Sequence, residues 1–246
     1  MWQRVAYCGL PPIPGELVGR FNLDPLLVAV LATLAISQSN WCRTKGLNST
    51  APAIGWAVVG AVTLSPLCAL SVALFSARVA QHMIILLVAA PLIAIGLPPP
   101  ARGSRTLWPA TIAFFAALWA WHMPAPYDAT LHSIPLYWAM HASLLGTSVL
   151  LWHELIGHDA RDTIGALGAG FATSMQMGLL GAILTFSGHA WFAGHYLTTE
   201  AWGLTPLDDQ QLGGVLMWVP GGLLLLWISL RSFYRAWRAM EAGQPA

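Results

Sequence analysis

Apolar residues in this chain run in long blocks separated by short polar stretches. Seven blocks stand out, at residues 24–40, 51–66, 74–97, 107–122, 134–156, 164–186 and 212–233. A bilayer core takes about 20 apolar residues per helix, and most of the blocks approach that length. The second and fourth are short, so the count falls to six if either folds back as a re-entrant segment. Ser65-Pro66 closes the second block, because proline cannot continue the helical hydrogen-bond ladder. Breakers fill the connections at Pro98-Pro99-Pro100, at Pro124 and Pro126, and at Thr205-Pro206. The expected fold class is an all-α polytopic membrane helix bundle of about seven transmembrane helices. It divides into an outer tail (1–23), one transmembrane domain (24–233) and a cytoplasmic tail (234–246). The tail does not read as a signal peptide, since Pro11, Pro12 and Pro14 interrupt the apolar centre that such a peptide needs.

Composition sharpens this picture. Of 246 residues 57% are hydrophobic and 9% charged, and mean hydropathy is +0.62. A soluble domain carries about 25% charged residues, so too few are present here to cover a water-facing surface. So few charged residues also argue against a nucleic-acid binder, which needs a dense basic patch.

The charges matter by position. Cytoplasmic loops are enriched in Lys and Arg. Arg43, Lys45, Arg102, Arg105, Arg161, Arg231, Arg235 and Arg238 fall on one side, whereas Arg4, Arg20 and Arg78 fall on the other. That puts the N-terminus outside and the C-terminus inside. Six of the ten acids lie outside, so the outer face is net negative and the inner face net positive.

Candidate chemistry gathers on the outer side. His82 and His141 lie roughly 10–12 Å below the outer surface, at 1.5 Å of helix rise per residue. An ionisable group within a span is costly and is by default a functional-site candidate. His122 and His132 flank the fourth loop, and His189 and His195 lie in the sixth; of these, His132, His189 and His195 are expected to be solvated. Imidazole suits copper, zinc and iron, and thioether sulfur selects Cu(I). Met83, Met123, Met140 and Met217 fall in the same outer half. Tyr127 and Asp128 are placed to orient a ligating imidazole, or simply to start a turn.

Other patterns lead away from catalysis. His153 and His158 stand five apart, about 500° of helical rotation, so they do not form a zinc-protease pair. Cys8 and Cys68 fall outside and Cys42 inside. A thiolate pair or disulfide is therefore open only to Cys8 and Cys68, and is not expected. Gly165, Gly168, Gly170, Gly178 and Gly181, and then Gly213, Gly214, Gly221 and Gly222, read as packing faces between helices. No Ser-His-Asp arrangement, phosphate loop or dinucleotide fingerprint is present.

Three stretches carry a family resemblance: FSARVAQHMIILLVAAPLIAIGLP (75–98), WAWHMPAPYDATLHSIPLYWAMHASLLGTSVLLW (119–152) and TPLDDQQLGGVLMWVP (205–220). Together they resemble the multi-spanning CtaG family of cytochrome c oxidase assembly proteins, over roughly residues 51–230. Asp209-Gln210-Gln211-Leu212-Gly213-Gly214 running into Met217-Trp218 is the most specific piece. One departure is that Arg78 stands where many members have a histidine. The resemblance implies maturation of haem–copper oxidase at a bacterial inner membrane, with oxidase subunits and the bilayer as partners. The sparse charge argues against nucleic acid, and metal transfer by ligand exchange requires no covalent chemistry, so no enzymatic role is expected. Residue chemistry and resemblance together give an expected copper site of His82, His122 and His141, with Met123 or Met217 as soft ligands. Arg78, Tyr127, Asp128, Asp209 and Gln210 are then orienting or partner-binding residues, Arg78 by holding an anion or pairing with Asp209. Two other readings stay open: a b-type haem carrier with His82 and His141 as axial ligands, and a metal-free assembly scaffold.

Overall fold

The computed structural model describes residues 6–100, 105–157 and 163–241, and no strand occurs among them. His158, Arg4, Arg102 and Arg161, used above for motif and orientation, lie outside the described residues.

The first helix, α1 (Pro25–Thr44), opens on Pro25 behind an N-cap, the Asp24 carboxylate accepting the Leu26 N–H at 2.9 Å. Leu26, Val28, Val30, Leu34 and Ile36 on it are exposed. Such a helix is costly in water and at home in lipid. The Ser65-Pro66 break appears as expected: α2 (Thr50–Leu64) stops there and α3 (Pro66–Ala73) leaves at a 53° bend.

The most buried long apolar helix is α4 (Phe75–Ile95), with 61% of its apolar window inside the protein. Its middle, Ile85–Ala89, widens to a π-helical turn just before Pro91. Proline has no N–H to return to the preceding turn. The freed Leu86 carbonyl instead accepts from the Ser148 hydroxyl (3.0 Å) and the Trp152 indole (2.8 Å). Both donors lie on α7 (Ile134–Gly157) and are buried, so the break in α4 locks it against α7.

Between these, α5 (Leu107–Trp121) has 15 residues. At 1.5 Å per residue it covers roughly 22 Å of a core about 30 Å thick. The chain turns at His122 and Met123 into α6 (Pro124–His132). Pro124 therefore does not mark a loop, as the sequence suggested; it opens a helix, where its missing N–H costs nothing. Then come α8 (Thr163–Phe186) and α9 (Pro206–Glu241). At the start of α9 Thr205 and Asp208 cap each other reciprocally, each side chain accepting the other's backbone N–H. Helix α9 runs on to Glu241, past the domain boundary expected at 233.

All seven apolar blocks fall in helices. Among the described residues four helices are long and apolar enough to cross a membrane, or five if α2 and α3 form one bent span. The closest helix pairing, α8 with α9, rests on glycine as expected. A Cβ on Gly181 would stand 2.8 Å from the Gly214 carbonyl, and one on Gly214 would stand 2.6 Å from that of Gly181.

The cysteines correct the sequence reading. Cys8 and Cys68 form a disulfide, with Cα atoms 5.4 Å apart. It ties the N-terminal segment to α3, where Tyr7 stacks on Tyr137 at 5.0 Å and donates to Asp24 at 2.6 Å. Sixty residues separate the two cysteines, so the chain offers no local signal for the pairing. Cys42 is free and buried, donating to the Gly96 carbonyl.

Candidate functional site

Three imidazoles meet in the core. His82 lies two turns into α4 and His141 two turns into α7. His122 comes from the end of α5. The His82 ring is 5.3 Å from that of His141 and 5.9 Å from that of His122, both nearly edge-on. His122 is fully buried. Helix α5 ends at Trp121 and the chain turns at His122 into α6, which leaves the imidazole 5.9 Å from that of His82.

Backbone contacts set the tautomers. The Nδ1 of His122 reaches the Leu118 carbonyl (2.6 Å), and the Nδ1 of His141 reaches the Tyr137 carbonyl (3.0 Å). A carbonyl accepts only, so each Nδ1 carries the proton and each Nε2 keeps its lone pair. Both Nε2 atoms, and both ring nitrogens of His82, are buried without a hydrogen-bond partner. Buried polar atoms are satisfied in the great majority of cases, so four orphan ring nitrogens at one place are unusual. Among the described residues no three His, Cys, Asp or Glu side chains form a closed metal-holding group.

Arg78 lies one turn before His82 and is completely buried. Its Nη1 donates to Thr130 Oγ1 (2.7 Å), its Nε to the Ser71 carbonyl (3.2 Å), and its guanidinium lies 5.1 Å over the Tyr127 ring. The Nη2 has no partner. The expected ion pair with Asp209 does not form, because that carboxylate is used elsewhere. It caps α4, accepting the backbone N–H groups of Phe75 (2.6 Å) and Ser76 (3.1 Å) and the Ser76 hydroxyl. Gln210 is also buried, accepting from the Trp191 N–H (2.7 Å) and donating to the Leu184 and His189 carbonyls. Asp209 and Gln210 therefore hold α4 and the 187–191 loop in place, and present no surface to a partner.

Above the cluster, Tyr127 and His195 join α6 to the loop before α9. The Tyr127 hydroxyl meets His195 Nε2 at 2.7 Å, and His195 Nδ1 meets the Ala73 carbonyl at 3.2 Å. His195 is buried, against the expectation for a loop histidine, and burial pulls its pKa down to about 3. His132 and His189 are exposed as expected. Asp128 is half-buried and accepts from the Gly194 N–H; burial pushes its carboxyl above the ordinary range. Met217, Met83 and Met140 are buried in the main core, but Met123 is 37% exposed.

Sequence reasoning named the three cluster histidines, expected His195 to be solvated, and missed Thr130. A histidine eight residues after Ser187 in a Gly-rich loop carries no periodic signal of burial.

A family model described as cytochrome c oxidase caa3 assembly factor (Caa3_CtaG) matches residues 30–239. No curated protein and no solved structure matches the chain.

Proposed function

The chain belongs to the cytochrome c oxidase caa3 assembly factor family, and from that premise we propose that it handles copper for the oxidase at His82, His122 and His141. The observation that carries this reading is the set of four buried, unpartnered ring nitrogens on three helices. Ion–nitrogen distances of about 2.0–2.1 Å would hold two ligating rings with centroids roughly 5–6 Å apart. The observed 5.3 and 5.9 Å lie in that range, so small side-chain rotations would bring the nitrogens onto one ion. A haem between His82 and His141 would need those rings parted by a macrocycle, whereas they are in edge contact. The geometry therefore favours a single small ion over axial ligation.

Seven crossings with the N-terminus outside complete the proposal and place the protein in a bacterial inner membrane beside oxidase subunits. The disulfide supports that orientation. Disulfides persist in oxidising compartments; Cys8–Cys68 lies at the expected outer end, and the free Cys42 at the other. Copper would arrive from the outer face, drawn by its acidic excess, and leave by ligand exchange with an oxidase subunit. Ligand exchange breaks no covalent bond of a substrate, so no enzymatic step is proposed.

The test is copper content after purification in detergent and loading with Cu(I). About one equivalent in the wild type, lost in the His82→Ala/His141→Ala double variant, is expected. Background copper in the wild type, or an unchanged content in the double variant, sinks the copper reading and leaves a metal-free scaffold.

A further inference from the structure

The disulfide stands next to the imidazole cluster. The Tyr137 hydroxyl lies 3.4 Å from Cys8 Sγ and 3.8 Å from Cys68 Sγ. The Tyr137 ring packs on that of His141, with centroids 4.3 Å apart. One aromatic side chain therefore separates the two sulfurs from the nearest imidazole. The same tyrosine is covered by Tyr7, next to Cys8 in the chain, so the disulfide also clamps the segment lying over Tyr137.

We propose that Cys8 and Cys68, when reduced, are a second metal site: a two-thiolate acceptor for Cu(I) at the outer mouth, one tyrosine ring from His141. The proposal rests on the copper reading above for its choice of cation. The ligand count also points to Cu(I), since soft thiolates select it. A structural zinc ion needs four protein ligands, and two sulfurs alone do not supply them.

Accessibility sets the order of events. Cys8 is half-buried and Cys68 fully buried. A dithiol reductant of the thioredoxin-like class therefore attacks Cys8 Sγ, and Cys68 leaves as the thiolate. The reductant's second thiol then releases Cys8, and the reductant departs as a disulfide, having given two electrons and two protons. One Cu(I) ion then replaces the two thiol protons, which go to solvent. Opening the bond also removes the covalent tie on the segment that carries Tyr7, leaving Tyr7 over Tyr137 held by ring stacking and its hydrogen bond to Asp24.

The experiment compares the full-length protein in its disulfide and dithiol states, both anaerobic in detergent, by titrating Cu(I) against the chelator bicinchoninate. Reduction is with a thioredoxin-like dithiol, followed by thiol counting. The expected result is one additional tightly held Cu(I) per chain in the dithiol state. Cys8→Ser and Cys68→Ser each weaken that equivalent by roughly tenfold or more, since one thiolate cannot replace two. The redox-dependent equivalent persists in the His82→Ala/His141→Ala variant. If that variant loses only the redox-independent copper, the thiol site stands apart from the histidine site. Equal Cu(I) uptake by the two redox states overturns the proposal, and so does a disulfide that stays closed under excess dithiol. No substitution is needed for that comparison, so a folding defect in a variant does not obscure it.

Discussion

His195 makes the contact between α6 and the loop before α9 sensitive to acid. It is buried between Tyr127 and the Ala73 carbonyl, and burial holds its pKa at about 3, against 6.5 when exposed. The unfolded chain thus binds the proton more readily than the folded one. The neutral ring's stabilisation is complete above pH 6.5 and is lost as pH falls towards 3. Between pH 7.5 and 5 the loss is about 2 kcal/mol, and the limit below pH 3 is between 4 and 5 kcal/mol, at about 1.4 kcal/mol per pKa unit. In structural terms, a proton on Nε2 replaces the acceptor of the Tyr127 hydroxyl with a second donor. The assay is thermal unfolding in detergent from pH 7.5 to 5, for wild type and His195→Gln. Glutamine keeps a donor and an acceptor but does not titrate. The wild-type midpoint should fall by roughly 4–8 °C more than that of the variant across this range. Equal pH slopes in the two proteins would refute the assignment of the acid loss to His195.

Two further outcomes follow from the packing. Gly214→Val places a side chain where the Gly181 carbonyl already stands within 2.6 Å of a Cβ. It should separate α8 from α9 and cost roughly 1–3 kcal/mol or more, read as a lower unfolding midpoint, with Gly146→Ala, a site with open space around its Cβ, as the control. Arg78→Met removes a buried cation one turn from His82. At an effective dielectric near 20 and a separation of roughly 6–8 Å, its Cu(I) affinity should rise by about one to two orders of magnitude, measured by chelator competition. An unchanged affinity would place the copper away from α4.

How much of this was legible in the sequence varies by residue. His82 and His141 were readable because each interrupts an apolar block, where an ionisable side chain is conspicuous. Their common depth followed from counting rise along two helices. His122 was named with them, at the end of its apolar block. Its depth depends on where α5 ends relative to its neighbours, which no local pattern records. Asp209 and Gln210 stood out as a motif, yet their work is structural: a carboxylate and an amide reach across to α4 and to the 187–191 loop, contacts more than a hundred residues apart in the case of Asp209 and Phe75. The disulfide was open to Cys8 and Cys68 but not expected, and with sixty residues between them no local pattern pairs the two.

The sequence by itself determined the solvent and the kind of element. Transfer of side chains into lipid is close to additive along the chain, and a backbone in lipid must close its hydrogen bonds within helices. It also determined the breaks, because proline acts on its own residue and the turn before it. Only the tertiary structure decided which polar groups are buried together. The end of α5 brings His122 to His82, the π-helical turn in α4 lets Ser148 and Trp152 dock on Leu86, and the N-terminal segment lays Cys8 on Cys68. Each depends on how far one helix slides or tilts against another, which is settled by packing over the whole bundle and not by any single stretch of it.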